Sequence, residues 1–507
     1  MIVLNKFLSI KDFINLVKET SPFEIHKSVQ SETEKSFEFL KKFSQDKIIY
    51  GVNTGFGPMA QYRVSEEDRI QLQYNLIRSH STGVGKMLST SFVRAAMLAR
   101  LNSLMKAKSG VHPSVFEVLT KLLNKEIYPV IFEHGGVGAS GDLVQLAHIA
   151  LVLIGEGEVI YKGERRNTKE VFEKENITPI KVTLREGLAL MNGTSVMTGI
   201  GIINYSKANK LVDWSLKCSS MINELVEAYD DHFSQELNEV KLHAGQAHVA
   251  EKMRIHLKDS KLTRKREQHL YSGKVNDSIF KEKVQEYYSI RCVPQILGPI
   301  YDTVLQVGKV LEDELNSAND NPIIDSEREQ VYHGGNFHGD YISLEMDKLK
   351  LVVTKLTMLA ERQLNFLLNS KINGILPPFV NRGVLGLNYG VQGAQFTATS
   401  TTAESQMLSN SMYVHSIPCN NDNQDIVSMG TNAAQITDKV IENAFEVISI
   451  ELITIVQAIG HLGVNDKLSS ESKIIFDKLN SFIPDIVEDK PLYSMIEETK
   501  QFLIKND

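Results

Sequence analysis

Hydrophobic residues recur along most of this chain at intervals of three and four, the period of a helix buried on one face. Leu143, Leu146, Ala147, Ala150, Leu153 and Ile154 form one such stripe. Leu211, Trp214, Cys218, Ile222, Leu225 and Tyr229 form another, about five turns long. Longer patterns run over 341–369 and 436–462, and shorter ones over 91–104 and 113–123. Ile70, Tyr74 and Ile77 mark the face of a helix that ends by delivering Ser79 and His80. Capping boxes at Ser9-Ile10-Lys11-Asp12 and Ser65-Glu66-Glu67-Asp68 signal two helix starts. Glu158–Arg165 reads as a short hairpin on a fold that is otherwise mainly α. The long stripes need apolar partners, which predicts a bundle in the second half. The boundary is expected near residue 200, with domains at 1–200 and 201–507.

Composition narrows the partners more than the fold. The chain has 507 residues, 42% hydrophobic and 23% charged, with a net charge of −7. That balance argues against nucleic acid or an anionic membrane as the main partner. Cys218, Cys292 and Cys419 are far apart and form no CxxC pair, so neither a disulfide framework nor a zinc cluster is expected. A reducing, cytoplasmic setting follows. The segment 447–459 is very apolar but contains Glu451 and Gln457, which favours a buried helix over a membrane span. His243/His248 and His333/His338 are spaced by five, a poor fit to one helix face, and no metal site is expected.

The candidate chemistry lies in Gly135-Gly136-Val137-Gly138-Ala139-Ser140-Gly141-Asp142-Leu143, a small-residue loop that ends at a helix. If the Gly141 nitrogen attacks the Ala139 carbonyl, a five-membered ring closes. Loss of two waters, one from the Ser140 side chain, leaves an exocyclic methylidene, a strong electrophile. Gly141 permits the close approach, Ser140 supplies the hydroxyl to eliminate, and Ala139 is small. Asp142 is expected in the first turn of the helix that follows, at its positive end.

Gly136–Leu143 resembles the signature of the aromatic amino acid ammonia-lyase family, whose members build a methylidene-imidazolone (MIO) from their own Ala-Ser-Gly. Tyr50–Gly57, Asn192-Gly193-Thr194, Gln285–Gln295, Asn319–Pro322, Gly334–His338 and Asn423-Gln424-Asp425 resemble further strings of that family, in the same order. The resemblance implies a mainly α fold of the ammonia-lyase (fumarase/aspartase-like) type, a long-helix bundle with a smaller MIO-bearing N-terminal domain. It implies homotetramers with sites shared between subunits and no external cofactor.

By the same resemblance, Ala139, Ser140 and Gly141 form the MIO, Tyr50 removes a β-proton and Tyr288 serves the leaving amine. Arg291 clamps the substrate carboxylate, a match for a guanidinium fork. Asn192 and Gln285 are polar neighbours of the MIO and substrate, Phe337 packs on them, and Asn420, Asn423 and Gln424 complete a polar wall. His80 reads the substrate ring, and Glu404 matches an acidic residue that histidine lyases place near an imidazole. Val144-Gln145 stands where Ala-Pro is usual, and Leu387–Gln392 departs from the histidine-lyase pattern. The subgroup most resembled is bacterial tyrosine ammonia-lyase. Histidine ammonia-lyase is the second expectation and tyrosine 2,3-aminomutase the third.

Overall fold

The computed structural model describes residues 2–274, 278–280 and 282–506. It is mostly helical, and four predicted helices stand within a residue or two of their expected limits: Thr90–Leu104, Ser114–Asn124, Leu143–Leu153 and Asp340–Leu368. Gly430–Leu462 starts six residues before its pattern, and Ser195–Leu225 starts sixteen residues before the Leu211 stripe and ends four residues before Tyr229. The Ser9 hydroxyl accepts the Asp12 N–H at 3.1 Å and caps the helix Ile10–Glu19. The second capping box behaves differently. Ser65 accepts the Asp68 N–H at 3.3 Å, but that bond closes a separate turn and the helix begins at Arg69. In the helix Arg69–His80 the inward residues are Gln73, Leu76 and Ile77, whereas Ile70 is 48% exposed. Gln73 tolerates burial because its amide donates to the Gly51 carbonyl at 2.9 Å and accepts the Leu188 N–H at 3.1 Å.

The chain divides into two compact units. The first comprises Met1–Ser206, Val307–Asp347 and Ser411–Thr437, and the second Lys207–Gln306, Lys348–Asn410 and Asp438–Asp507. The expected boundary near 200 lies close to Ser206, but residues 201–507 are not one continuous block. The segments 307–347 and 411–437 pack with the N-terminal residues and carry loops of the cavity described below.

The first unit is built on the helix Thr90–Leu104, buried at every position from Phe92 to Leu104. Arg94 lies inside this core. Its guanidinium donates to the carbonyls of Leu16 at 2.8 Å and Leu123 at 2.9 Å, in the last turns of two helices where carbonyls lack intrahelical donors. The strand Val84–Met87 pairs antiparallel with Phe132–His134, which leads into the glycine-rich loop. The hairpin Glu158–Tyr161 with Glu164–Asn167 forms as expected and gains a third strand, Ile127–Pro129. Arg185 and Asp320, both fully buried, form a two-pronged ion pair at 3.1 Å, and Arg185 also donates to the Asn321 carbonyl at 2.8 Å. This pair fixes the corner that carries Asn321.

The second unit contains Ala244–His256, Gln392–Leu408, Ser470–Asn480, Tyr493–Lys505 and lengths of the long helices. Lys207 pairs with Asp438 at 2.7 Å and Glu442 at 2.8 Å, and Lys500 pairs with Glu442 at 2.9 Å. Among the described residues, Gly430–Leu462 is the one helix long and apolar enough to cross a membrane. Its residues from Val447 to Ile459 are buried within the protein, Glu451 and Gln457 included.

Candidate active site

The strand Phe132–His134 feeds directly into the Ala139-Ser140-Gly141 loop, where the backbone doubles back on itself. Gly138 bridges to Gly141, Ala139 bridges to Gly141, and Gly141 bridges to Gly193. The Asp142 N–H donates to the Gly193 carbonyl at 2.8 Å. Gly141 has φ +70°, and a Cβ there would lie 1.9 Å from the Gly193 oxygen, so no other residue fits. The Gly138 carbonyl accepts the Gly339 N–H at 3.0 Å and the Ser428 hydroxyl at 3.2 Å, and the Met429 N–H donates to Val137 at 3.0 Å. Segments far apart in sequence therefore clamp this loop.

Asp142 acts on a different helix from the one expected. It is the N-cap residue of Leu143–Leu153 but makes no side-chain capping bond there. Its carboxylate instead accepts the N–H groups of Val196 at 2.8 Å and Met197 at 3.0 Å, in the first turn of Ser195–Leu225, and the Thr431 hydroxyl. The positive end it meets is that of the long helix, where the orphan N–H groups lie. Burial raises its pKa to about 6, against the opposing pull of these three donors.

Ser140 opens onto a cavity of about 740 Å³, well within the range of small-molecule sites. Tyr50, His80, Gly141, Asn192, Phe337, Asn420, Asn423 and Gln424 share its wall, and Ala139 lies behind it, 4% exposed. The Tyr50 oxygen accepts the Gly57 N–H at 3.0 Å, which puts a backbone donor on the atom that carries charge when the phenol ionises. The Gln424 side-chain amide donates to the Ser140 hydroxyl at 3.1 Å, and Asn192 donates to the Ser140 carbonyl at 3.2 Å. The Asn192 Oδ1 is buried with no partner among the described residues.

His80 is half-buried, with Nδ1 3.0 Å from the Leu76 carbonyl oxygen. Nδ1 also stands 3.0 Å from the Ser79 hydroxyl, which itself donates to the Leu76 carbonyl at 3.1 Å; with the ring proton on Nδ1, facing these two oxygens, Nε2 is an acceptor. Among the described residues, the wall holds no carboxylate, lysine or arginine.

Four of the expected residues are not brought to this cavity. Gln285, Tyr288, Arg291 and Glu404 belong to the second unit and do not line it. The first three form their own cluster: the Gln285 Oε1 accepts from Arg291, whose guanidinium stacks 4.6 Å from the Tyr288 ring. Tyr288 is 69% exposed. Glu404 accepts from Asn443 at 2.8 Å and pairs with Lys439 at 3.3 Å, and these partners hold its pKa below the usual carboxylate range.

Other wall residues escaped the sequence reading. Leu72, Asn75 and Leu76 accompany Ser79 and His80 on one side of the helix, and their three- and four-residue spacing is a signal that could have found them. Asn321, within the family-like string Asn319–Pro322, and Cys419, next to Asn420, also line the wall. The paired histidines serve separate ends: His333 Nε2 accepts the Tyr50 N–H at 3.4 Å, and His338 contacts the Ile426 carbonyl at 3.3 Å.

The helical frame with Ser140, Tyr50 and His80 around one cavity is that of an aromatic amino acid lyase or aminomutase. The family described as aromatic amino acid lyase matches residues 8–481, and the chain belongs to it. It is similar to the tyrosine 2,3-aminomutase of Chondromyces crocatus, 39% identical over 461 residues, which cover 90% of this chain and 87% of that protein. It is also similar to the histidine ammonia-lyase of Bacillus subtilis (strain 168), 38% identical over 481 residues, covering 93% and 92%. Among solved structures, the tyrosine aminomutase from Streptomyces globisporus superposes with a TM-score of 0.95 at 33% identity, covering 99% of this chain and 97% of that one.

Proposed function

We propose that the protein eliminates ammonia from L-tyrosine to give trans-4-coumarate, using an MIO formed from Ala139, Ser140 and Gly141. The observation that carries this reading is one cavity wall that presents Ser140, Tyr50 and the His80 ring together. The residues fit the group. The tripeptide backbone is folded back, Gly141 has no room for a Cβ, Gln424 holds the Ser140 hydroxyl, and the Asn192 Oδ1 has no partner among the described residues. The group supplies an electrophile, and the helix-anchored Asp142 keeps the loop beneath it in place.

The protein's own residues do the rest. Tyr50 takes a β-proton; the C–H electron pair becomes the new C=C bond as the Cα–N bond breaks, and nitrogen leaves with the pair of that bond, gaining a proton to depart as ammonia. The Gly57 N–H donates to the Tyr50 oxygen and fixes where that oxygen stands. Arg291 binds the carboxylate with Gln285 beside it, and Tyr288 supplies the proton to the departing amine. Phe337 packs on the substrate, and Asn420 and Asn423 complete the polar wall. The His80 Nε2 accepts the phenol O–H. A site built this way rejects phenylalanine, because the His80 acceptor would be left unpaired against the bound ring.

Histidine is the second substrate considered. It would draw on Glu404, which, like Arg291, lies in the second unit and would have to come from another copy; here Glu404 is engaged by Lys439 and Asn443. A 2,3-aminomutase is favoured by the similarity to tyrosine 2,3-aminomutases; it shares the elimination and then re-adds ammonia at Cβ to give β-tyrosine. The protein acts in the cytoplasm as a homotetramer in which Gln285, Tyr288 and Arg291 of one copy serve the cavity of another. The deciding experiment measures kcat/KM for tyrosine, histidine and phenylalanine with product separation. Coumarate as the main product supports the lyase, β-tyrosine the aminomutase, and a preference for histidine would overturn the substrate assignment.

A further inference from the structure

We infer that His148 is a positioning residue that sets where His80 stands relative to Ser140. The inference deepens the reading of His80 given above and rests on it. A substrate reaching from Ser140 to His80 is gripped at both ends, so the spacing between these two segments decides how well its ring is read. The helix Leu143–Leu153 begins three residues after Ser140, and His148 lies one turn beyond Val144, itself in the cavity wall.

The His148 Nε2 accepts the Gly83 N–H at 3.1 Å. Gly83 follows His80 by three residues, through a turn with little freedom. The Ser81 hydroxyl donates to the Ile77 carbonyl at 2.8 Å, and the Thr82 N–H donates to the His80 carbonyl at 2.9 Å. Beyond Gly83, Val84 pairs with His134 on the strand that leads to the glycine-rich loop. His148 thus ties the helix behind Ser140 to the turn behind His80.

The contact is built closely. A Cβ on Gly83 would lie 3.0 Å from the His148 Nε2, and the His148 ring stands edge-on to Phe132 with centroids 5.6 Å apart. To accept from Gly83, the ring must be neutral with its proton on Nδ1. Burial lowers the His148 pKa, which keeps that form dominant. The nearby Glu133 and His134 side chains face each other at 3.4 Å.

His148→Phe keeps a ring and removes the acceptor, while His148→Gln restores an acceptor on a flexible stem. Kinetics with tyrosine and phenylalanine, alongside circular dichroism of each variant, separate positioning from bulk stability. For His148→Phe we expect kcat/KM for tyrosine to fall about tenfold, mostly through KM, while phenylalanine changes less than about twofold; His148→Gln should recover most of the loss. An equal loss on both substrates, an unchanged tyrosine/phenylalanine ratio, or a folded His148→Gln no better than His148→Phe would overturn the inference. His148→Leu gives the same comparison if His148→Phe does not fold. Should the wild-type protein prefer histidine, the substrate assignment fails on its own. The variants are then scored on histidine against phenylalanine, and the same ratio decides.

Discussion

The Gly141 α-carbon faces the Gly193 carbonyl so closely that a Cβ would sit 1.9 Å from its oxygen and 2.2 Å from its carbon. Gly141→Ala therefore cannot keep this backbone, and its φ of +70° adds strain of about 1 kcal/mol or more. We expect the variant to lose activity by at least about a thousandfold and to retain both waters of the tripeptide. Intact mass reads this directly: the wild-type chain should be lighter than its sequence by two waters, and Gly141→Ala should not. A wild-type mass that matches the unmodified sequence in an active preparation would sink the MIO assignment.

Tyr50 is held at its tip by the Gly57 amide and at its backbone by His333. Phenylalanine at this position keeps the ring and its edge-on contact with Phe56 but loses the base. Tyr50→Phe should lower kcat by about 10²–10⁴ with little change in KM and no change in circular dichroism. A variant that keeps more than a tenth of the wild-type kcat would remove Tyr50 from its role.

Much of this architecture is legible because it is local. The Ser9 cap, the Glu158–Asn167 hairpin and the long helices follow from residues within a few positions of one another. What stays hidden is settled by distant partners. Asp142 sits at the start of one helix, yet its carboxylate serves another that begins more than fifty residues later, because Gly193 holds the two chain segments together. Gln73 fills an inward position that an apolar stripe would give to a hydrophobic residue, because the Gly51 carbonyl and Leu188 amide meet its polar ends. The cavity wall was readable as strings of residues, but which strings share one unit of the fold was not. Arg291 and Tyr288 belong to a separate cluster for which sequence order gives no hint.

Asp142 makes stability depend on pH. Its folded pKa of about 6 lies above the ordinary 3.8, with burial as the main cause. The folded state thus holds the proton more tightly than the unfolded state, and this group's contribution to stability rises as pH falls through 6 toward 4. Asp142→Asn keeps the shape and removes the titration. Compared with that variant, the wild-type protein should gain about 2 kcal/mol of unfolding free energy between about pH 7.5 and about pH 4.5. Urea titrations at the two pH values test this, and a parallel response of both proteins would show that Asp142 does not titrate in the fold.

With its single ring proton on Nδ1, facing the Leu76 carbonyl, His80 offers Nε2 as an acceptor. His80→Phe removes the acceptor and leaves an apolar ring against the wall. The tyrosine/phenylalanine ratio of kcat/KM should fall by at least about a hundredfold, with phenylalanine turnover rising in absolute terms. His80→Gln, which retains an acceptor, should fall between the two. No shift in the ratio for His80→Phe would mean that another part of the wall reads the ring.

The separation of Tyr50 and Arg291 into different units yields a test of assembly. If a working site takes Tyr50 from one chain and Arg291 from another, two inactive proteins can repair each other. Tyr50→Phe and Arg291→Ala should each be inactive alone. Co-expressed in equal amounts with distinguishable tags and purified as mixed oligomers, they should regain activity, because about a quarter of the sites then combine two intact residues. Sites built from a single chain can never do so, since no chain in the mixture carries both. Mixed oligomers that stay as inactive as their parents, while each variant still binds tyrosine or assembles normally by light scattering, would place both residues in one chain's site.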